Sequence, residues 1–364
     1  MADMLSRQEK LAEQNMTQRG TRISNKRMRL AASWYIALPS PDLGQKPIAI
    51  ELFGQPLVAW RDQNGCPAIM DRYCSHLGAS LAVGQVFNGC IRCPYHHWCY
   101  DSSGKCVSAP EIESIPRKAH KTSYFTIEQH GYIWVWYGTK MPLFPLPDFP
   151  STEDETRKYM DFRYSYAAKT TVQRVVEAGG CDYYHAPALH NFKMTNPSQF
   201  TILNDLDSEN CSEPSIPKNA YLKFQLNVWN RFMFEHNLLG PIAQLLGLTA
   251  NKFTFKTDIW PSGCRMVGVA DDNQHETLKV LFCTTPINEN LTIAHFFVKL
   301  RSLGNWMLDI PYSIIYRLRS RVIANEDISV LNTIKHDGGG AFVCYDRGVI
   351  EHRKLYQCWV DKVE

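Results

Sequence analysis

Two short clusters of thiol and imidazole side chains constrain this chain more than any other feature. Cys74 and His76 lie in C-S-H-L-G and Cys93 and His96 in C-P-Y-H, giving the spacing C-x-H-x16-C-x2-H. Each cluster offers one soft thiolate and one imidazole, the ligand types of zinc and iron–sulfur sites. Zinc sites of the Cys2His2 kind usually keep their cysteines together and their histidines together. Here the two types alternate, and Gly78 and Pro94 follow the ligand pairs where tight loops must wrap a bound group.

Alternation suits a [2Fe-2S] cluster with two cysteines on one iron and two histidines on the other, an arrangement that raises the reduction potential above that of an all-cysteine cluster. The loop pair resembles the Rieske signature, which implies that Cys74, His76, Cys93 and His96 hold such a cluster. High-potential Rieske proteins of respiratory complexes add a disulfide between the loops. The corresponding positions here are Ala79 and Tyr95, so the resemblance implies the low-potential oxygenase branch.

At 364 residues the chain can form two domains of ordinary size. Its 45% hydrophobic and 21% charged residues and net charge of +3 lack the basic concentration that nucleic acid demands. No run approaches the roughly 18 apolar residues of a membrane span, so neither nucleic acid nor a membrane is an expected partner. Twelve cysteines without a secretory leader point to a reducing, cytoplasmic setting rather than a disulfide framework.

Residues 1–28 read as a polar arm rich in Arg, Lys, Gln and Asn. From 29 to 140 short β runs dominate, such as I-A-I-E-L-F and P-L-V-A-W-R, broken by Gly54 and Pro56. The segment after His96 predicts a hairpin turning at Ser102–Gly104, and Y-F-T-I-E-Q-H-G-Y-I-W-V-W-Y-G another turning at His130–Gly131. This is a small antiparallel β domain with the ligand loops at its tip. M-P-L-F-P-L-P-D-F-P, over 141–150, holds four prolines and reads as a linker, since it can continue neither a helix nor a central strand. Residues 151–364 form the second domain, with strands at 222–228, 253–260, 278–286 and 291–300 of an antiparallel sheet and helix over about 305–335. The fold class is α+β. No Gly-rich nucleotide motif is present, so electrons are expected from a separate reductase.

Single electrons from such a cluster need a place to reduce oxygen. V-V-E-A-G-G-C-D-Y-Y-H-A-P-A-L-H, over 175–190, supplies D-x2-H-x4-H as Asp182, His185 and His190. A non-haem Fe(II) oxygenase site takes two histidines and a carboxylate on one face of the metal and leaves positions for oxygen and water. Pro187 disfavours helix at Ala186, so His185 is expected to end a helix and His190 to return from the following turn. Asp182 stands three residues before His185, where a helix would let its carboxylate accept the imidazole proton. Its competing role is to satisfy the helix dipole. A third ligand must come from elsewhere, and I-A-N-E-D-I-S-V-L offers Glu326 and Asp327.

With both motifs in place, the chain from about residue 29 onward resembles a Rieske non-haem iron oxygenase. The runs R-L-A-A-S-W-Y-I-A, F-G-Q-P-L-V-A-W-R, C-P-Y-H-H-W, G-Y-I-W-V-W-Y-G and H-D-G-G-G-A-F resemble its arylamine N-oxygenase branch. The resemblance implies a helix-grip (START-like) catalytic domain with a curved antiparallel sheet. It implies Fe(II) on His185, His190 and Asp327, with Glu326 the alternative, and O2 as co-substrate. NAD(P)H-derived electrons would arrive through a flavin reductase or a ferredoxin with its reductase. Asp182 would be an electron bridge from His96 of a neighbouring subunit to His185, which implies a ring-shaped homotrimer. The implied reaction is oxidation of a small aromatic amine; the alternatives are C-hydroxylation of another small apolar molecule, or a Rieske electron carrier whose second domain only binds ligand. Two departures stand out. His97 occupies a position that is often Gly, and Ala178 follows Glu177 where the family commonly shows Asn. His336 and Asp337, before a glycine run, and the aromatic residues Trp229, Phe232 and Phe234 with Met233 read as loop and core rather than site.

Overall fold

The computed structural model describes residues 28–148, 159–191, 196–203, 220–229, 252–270, 275–335 and 339–364. Phe232, Met233, Phe234, His336 and Asp337 lie outside them. Up to Tyr137 every described strand pair is antiparallel. Ser33–Pro39, Tyr132–Tyr137 and Thr126–Gln129 make one sheet. Ile48–Leu52, Gln55–Arg61, Pro67–Asp71 and Ser123–Tyr124 make a second, and Gln85–Phe87, Cys90–Arg92, Cys99–Tyr100 and Cys106–Ser108 a third. Both expected hairpins are present. His130 and Gly131 take φ of 56° and 75°, the pair of positive values that matches a two-residue turn to the twist of its strands.

The second half is organised by one seven-stranded antiparallel sheet. Its spatial order is Tyr159–Ala168, Leu291–Arg301, His275–Asn288, Gly263–Ala270, Phe253–Trp260, Leu222–Trp229 and Asn196–Ile202. The helix Trp306–Leu331 starts where the Asn305 side chain accepts the Met307 N–H at 3.0 Å, satisfying one of the unpaired donors of a first turn. It packs through Tyr312 onto Phe162, Val298 and Leu300. This is the α+β architecture expected, a small β domain beside a sheet that carries long helices. Among the described residues no helix is long and apolar enough to cross a membrane.

Residues 141–148 of the proline-rich segment are held by Phe144. Phe144 is buried, meets Trp136 and Trp359 edge-on at 5.0 and 4.9 Å, and accepts the Trp34 indole N–H on its carbonyl. Trp359 belongs to a C-terminal helix, Arg347–Val360, whose end returns to the first sheet through Ala32 N–H to Trp359 C=O at 2.9 Å. One core therefore runs from Leu30 through Trp134 and Phe282 to Trp359. The ligand loops rest on a separate, smaller core that includes Trp60, Met70, Ile91 and Tyr100.

Two buried histidines give the fold a defined response to acid. Burial lowers His295 and His352 from 6.5 to about 4, so both rings are neutral when folded but protonate near the ordinary value when unfolded. They add no pH dependence above about 6.5. As pH falls from about 6.5 to about 4 the unfolded chain takes up protons that the folded chain refuses, and stability drops by up to roughly 3 kcal/mol per ring. Denaturant titrations across that window should show the loss, and His352→Leu should remove about half of the part that these two rings contribute.

Candidate metal centres and the cavity beside them

The two ligand loops close toward each other. Each is fixed by a backbone hydrogen bond across itself, Cys74 N–H to Ala79 C=O at 2.9 Å and Cys93 N–H to Trp98 C=O at 2.8 Å. Cys74 and Cys93 are 4% and 1% exposed, whereas His76 and His96 face solvent. The imidazole rings stand 4.6 Å apart between centroids, and His76 stacks on Trp98 at the same distance. The Tyr100 hydroxyl lies 3.1 Å from Cys74 Sγ, and burial pushes the Cys93 thiol above its ordinary pKa. Two buried sulfurs with two outward imidazoles fit a [2Fe-2S] group bound by thiolate on its inner iron and imidazole on its outer one. His97 holds φ of 57°, the left-handed region that favours glycine, which gives a backbone reason why glycine suits that place.

The second set assembles where the chain makes an unusual turn. After the helix Val172–Val176, residues Glu177–Cys181 form one wide turn closed by Asp182 N–H to Glu177 C=O at 2.8 Å. Gly179 lets this turn press against Phe282: a Cβ there would sit 3.0 Å from the ring. Glu177 is buried and doubly bonded to Arg353 of the C-terminal helix at 2.8 and 3.0 Å. The turn is thereby tied to the far end of the chain.

His185 opens a short helix, His185–Leu189, rather than ending one, and His190 follows its last turn. Pro187 explains the difference, because in the first turn of a helix its missing N–H has no partner to lose. Asp182 is extended, not helical. One of its oxygens accepts the Tyr184 and His185 N–H groups at 3.0 and 3.3 Å, and the other lies 3.3 Å from His185 Nδ1. Capping and imidazole contact thus coexist. Burial works to raise the Asp182 pKa, but the His185 contacts outweigh it and hold the carboxyl below its usual value.

The long helix supplies both carboxylates, on opposite sides of His190. Asp327 Oδ1 lies 3.1 Å from His190 Nε2 and 3.6 Å from His185 Nε2. Glu326 Oε2 lies 2.7 Å from His190 Nδ1. One donor atom from each of His185, His190 and Asp327 falls within 4.8 Å of the others. A Glu326 carboxylate on the outer ring nitrogen is the kind of support that fixes a ligand imidazole's tautomer. Sequence reasoning weighed Glu326 only as a rival ligand; its neighbourhood to Asp327 carries no signal of the second role.

A cavity of about 300 Å³ opens beside these three residues. Tyr164 and Tyr166 on an edge strand, and Phe224 and Leu226, Phe255 and Thr257 on two adjacent strands farther across the sheet, supply alternate positions, so one sheet face forms one side of the wall and residues 178–190 with the long helix form the other. Tyr164 and Phe296 stack with parallel rings at 4.7 Å. No lysine or arginine lines it among the described residues.

Residues 33–121 match the Rieske [2Fe-2S] domain. The chain is 34% identical over 344 residues to aminopyrrolnitrin oxygenase PrnD of Pseudomonas fluorescens, covering 92% of this chain and 93% of that one. It is 38% identical over 111 residues to the oxygenase component of 3-ketosteroid-9-alpha-monooxygenase from Rhodococcus rhodochrous, 30% of this chain and 29% of the other. Among solved structures, dicamba monooxygenase bound to 3,6-dichlorosalicylic acid superposes with a TM-score of 0.69 at 18% identity, over 91% of this chain and 97% of that one. NdmB of Pseudomonas putida CBB5 gives 0.69 at 16%, over 92% and 98%. These two show a common fold.

Proposed function

We propose that this chain, which belongs to the Rieske non-haem iron oxygenases, oxidises the nitrogen of a small aromatic amine with O2. The observation that supports this reading is the aromatic-walled cavity beside His185, His190 and Asp327 in a chain with a full-length relative whose name specifies an amine-bearing substrate. Cys74, His76, Cys93 and His96 would hold the cluster, and His185, His190 and Asp327 the mononuclear iron. When bound, these groups relay single electrons from a separate reductase and activate oxygen.

The chain's own side chains do the rest. Asp182 and Glu326 hold the two imidazoles through their outer nitrogens. Phe224, Phe296 and the tyrosines exclude water and grip a flat ring. A cavity with no cationic side chain among its described lining residues favours an uncharged substrate, and an arylamine is uncharged near neutral pH. Cys74, His76, Cys93 and His96 make no hydrogen bond or ring contact with any described residue of the seven-stranded domain, which supports pairing between copies: Asp182 of one chain with His96 of the next, in a ring-shaped trimer.

Turnover under isotopically labelled oxygen gas tests the reaction. An arylamine should yield hydroxylamine and nitro products carrying the label on nitrogen, while its amine-free analogue should remain unlabelled. Label on ring or side-chain carbon of both compounds would mean C-hydroxylation instead.

A further inference from the structure

The phenols that line the cavity differ in what surrounds their hydroxyl groups. Tyr164, Tyr166, Tyr183 and Tyr316 all contribute to its wall. Tyr164 has the Ser320 hydroxyl at hand, the Tyr316 phenol lies by those of Tyr312 and Tyr164, and the Tyr183 phenol belongs with Tyr345 and Asp346. Tyr166 stands apart. Among the described residues its hydroxyl has no hydrogen-bond partner. It is also not one of the unpartnered oxygens closed off from water, so it keeps accessible surface.

The ring itself is held in place. Tyr166 leaves its strand on the same face as Tyr164 and lies against Phe296, with 5.7 Å between ring centroids and 27° between planes. Both of those neighbours line the cavity too. Burial, and then the charge of Asp327, push the Tyr166 phenol up from its ordinary pKa. The group is therefore a neutral hydroxyl set toward the Asp327 end of the cavity, able to donate one hydrogen bond and to accept others. A few polar groups placed in a mostly apolar cavity are what fix the orientation of a small ligand.

We propose that Tyr166 is a substrate-binding residue whose hydroxyl hydrogen-bonds the polar group of an aromatic substrate and holds it at the Asp327 end of the cavity. That this group is the reacting amine rests on the arylamine reading above; the contact with Tyr166 does not. For a primary amine the phenol oxygen accepts one N–H. The nitrogen lone pair, which N-oxidation uses, is then left to turn toward His185 and His190. A methyl group in place of the amine gives the hydroxyl nothing to bond.

The test compares para-chloroaniline with para-chlorotoluene, which differ only in that group. Affinities are measured by calorimetry on the full-length, metal-loaded parent and on Tyr166→Phe and Tyr316→Phe. The parent should bind the aniline more tightly than the toluene. Tyr166→Phe should weaken the aniline by about 3- to 15-fold, as expected for the loss of one uncharged hydrogen bond, and leave the toluene unchanged or tighter; Tyr316→Phe should retain the preference. Equal weakening of both ligands by Tyr166→Phe, an aniline affinity that it leaves unchanged, loss of the preference in Tyr316→Phe alone, or a parent without the preference would overturn the proposal. If Tyr166→Phe behaves as expected but the parent does not oxidise the bound aniline on nitrogen, Tyr166 keeps its role and the arylamine reading falls.

Discussion

Asp327→Ala should hold about two irons per chain where the parent holds about three, keep the visible spectrum of its cluster, and lose oxidation to below about one-thousandth of the parent rate. The reason is geometric. Asp327 Oδ1 is the carboxylate oxygen that faces the Nε2 atoms of both His185 and His190, and two neutral imidazoles alone make a weak site for a hard divalent ion. Glu326→Gln sets the contrast. Glu326 meets His190 on its other nitrogen, so its loss should weaken iron binding by about 10- to 100-fold without emptying the site at saturating iron. Iron analysis after dialysis reads both variants. Iron retained in the alanine variant and lost in the glutamine variant would exchange the two roles.

Asp182→Asn should separate metal binding from turnover. The amide oxygen can still accept the Tyr184 and His185 N–H groups, so the short helix and the iron should survive. What disappears is the charge beside His185 Nδ1, because an amide that caps the helix through its oxygen turns an NH2 group toward that ring. We expect three irons, a melting temperature within about 2 °C of the parent, normal reduction of the cluster by the reductase, and turnover lowered by about 100-fold or more. Stopped-flow reduction followed by single turnover distinguishes this from a folding defect. Turnover near the parent rate would remove Asp182 from the proposed link between subunits.

The parts legible in the sequence were those with short-range signals. Both hairpins of the small domain were readable because His130–Gly131 and Ser102–Gly104 are turn chemistry adjacent in the chain. Phe253–Trp260 and Leu291–Arg301 were readable from alternation and β-branched content. Gly263–Ala270 was missed because a strand buried by neighbours on both sides needs no strong propensity of its own, and its glycines argue against it locally. The direction of the turn at His185 was misread because the pre-proline rule describes the average X-Pro pair, whereas the wide turn at Glu177–Cys181 had already reset the backbone.

The clasp between the chain's early and late segments has a consequence for how the molecule is born. Arg29 bonds Gln357 across 328 positions, Ala32 bonds Trp359, and Arg353 of the same helix holds Glu177 in the turn that precedes the histidines. None of these bonds can form until the ribosome has passed residue 353, yet they fasten both the first sheet and the turn that leads to the proposed iron ligands. Nascent chains therefore wait with that edge open. The ligand loops rest on a core complete by Ala119, so the small domain can finish its packing while the histidine pair is still unclasped.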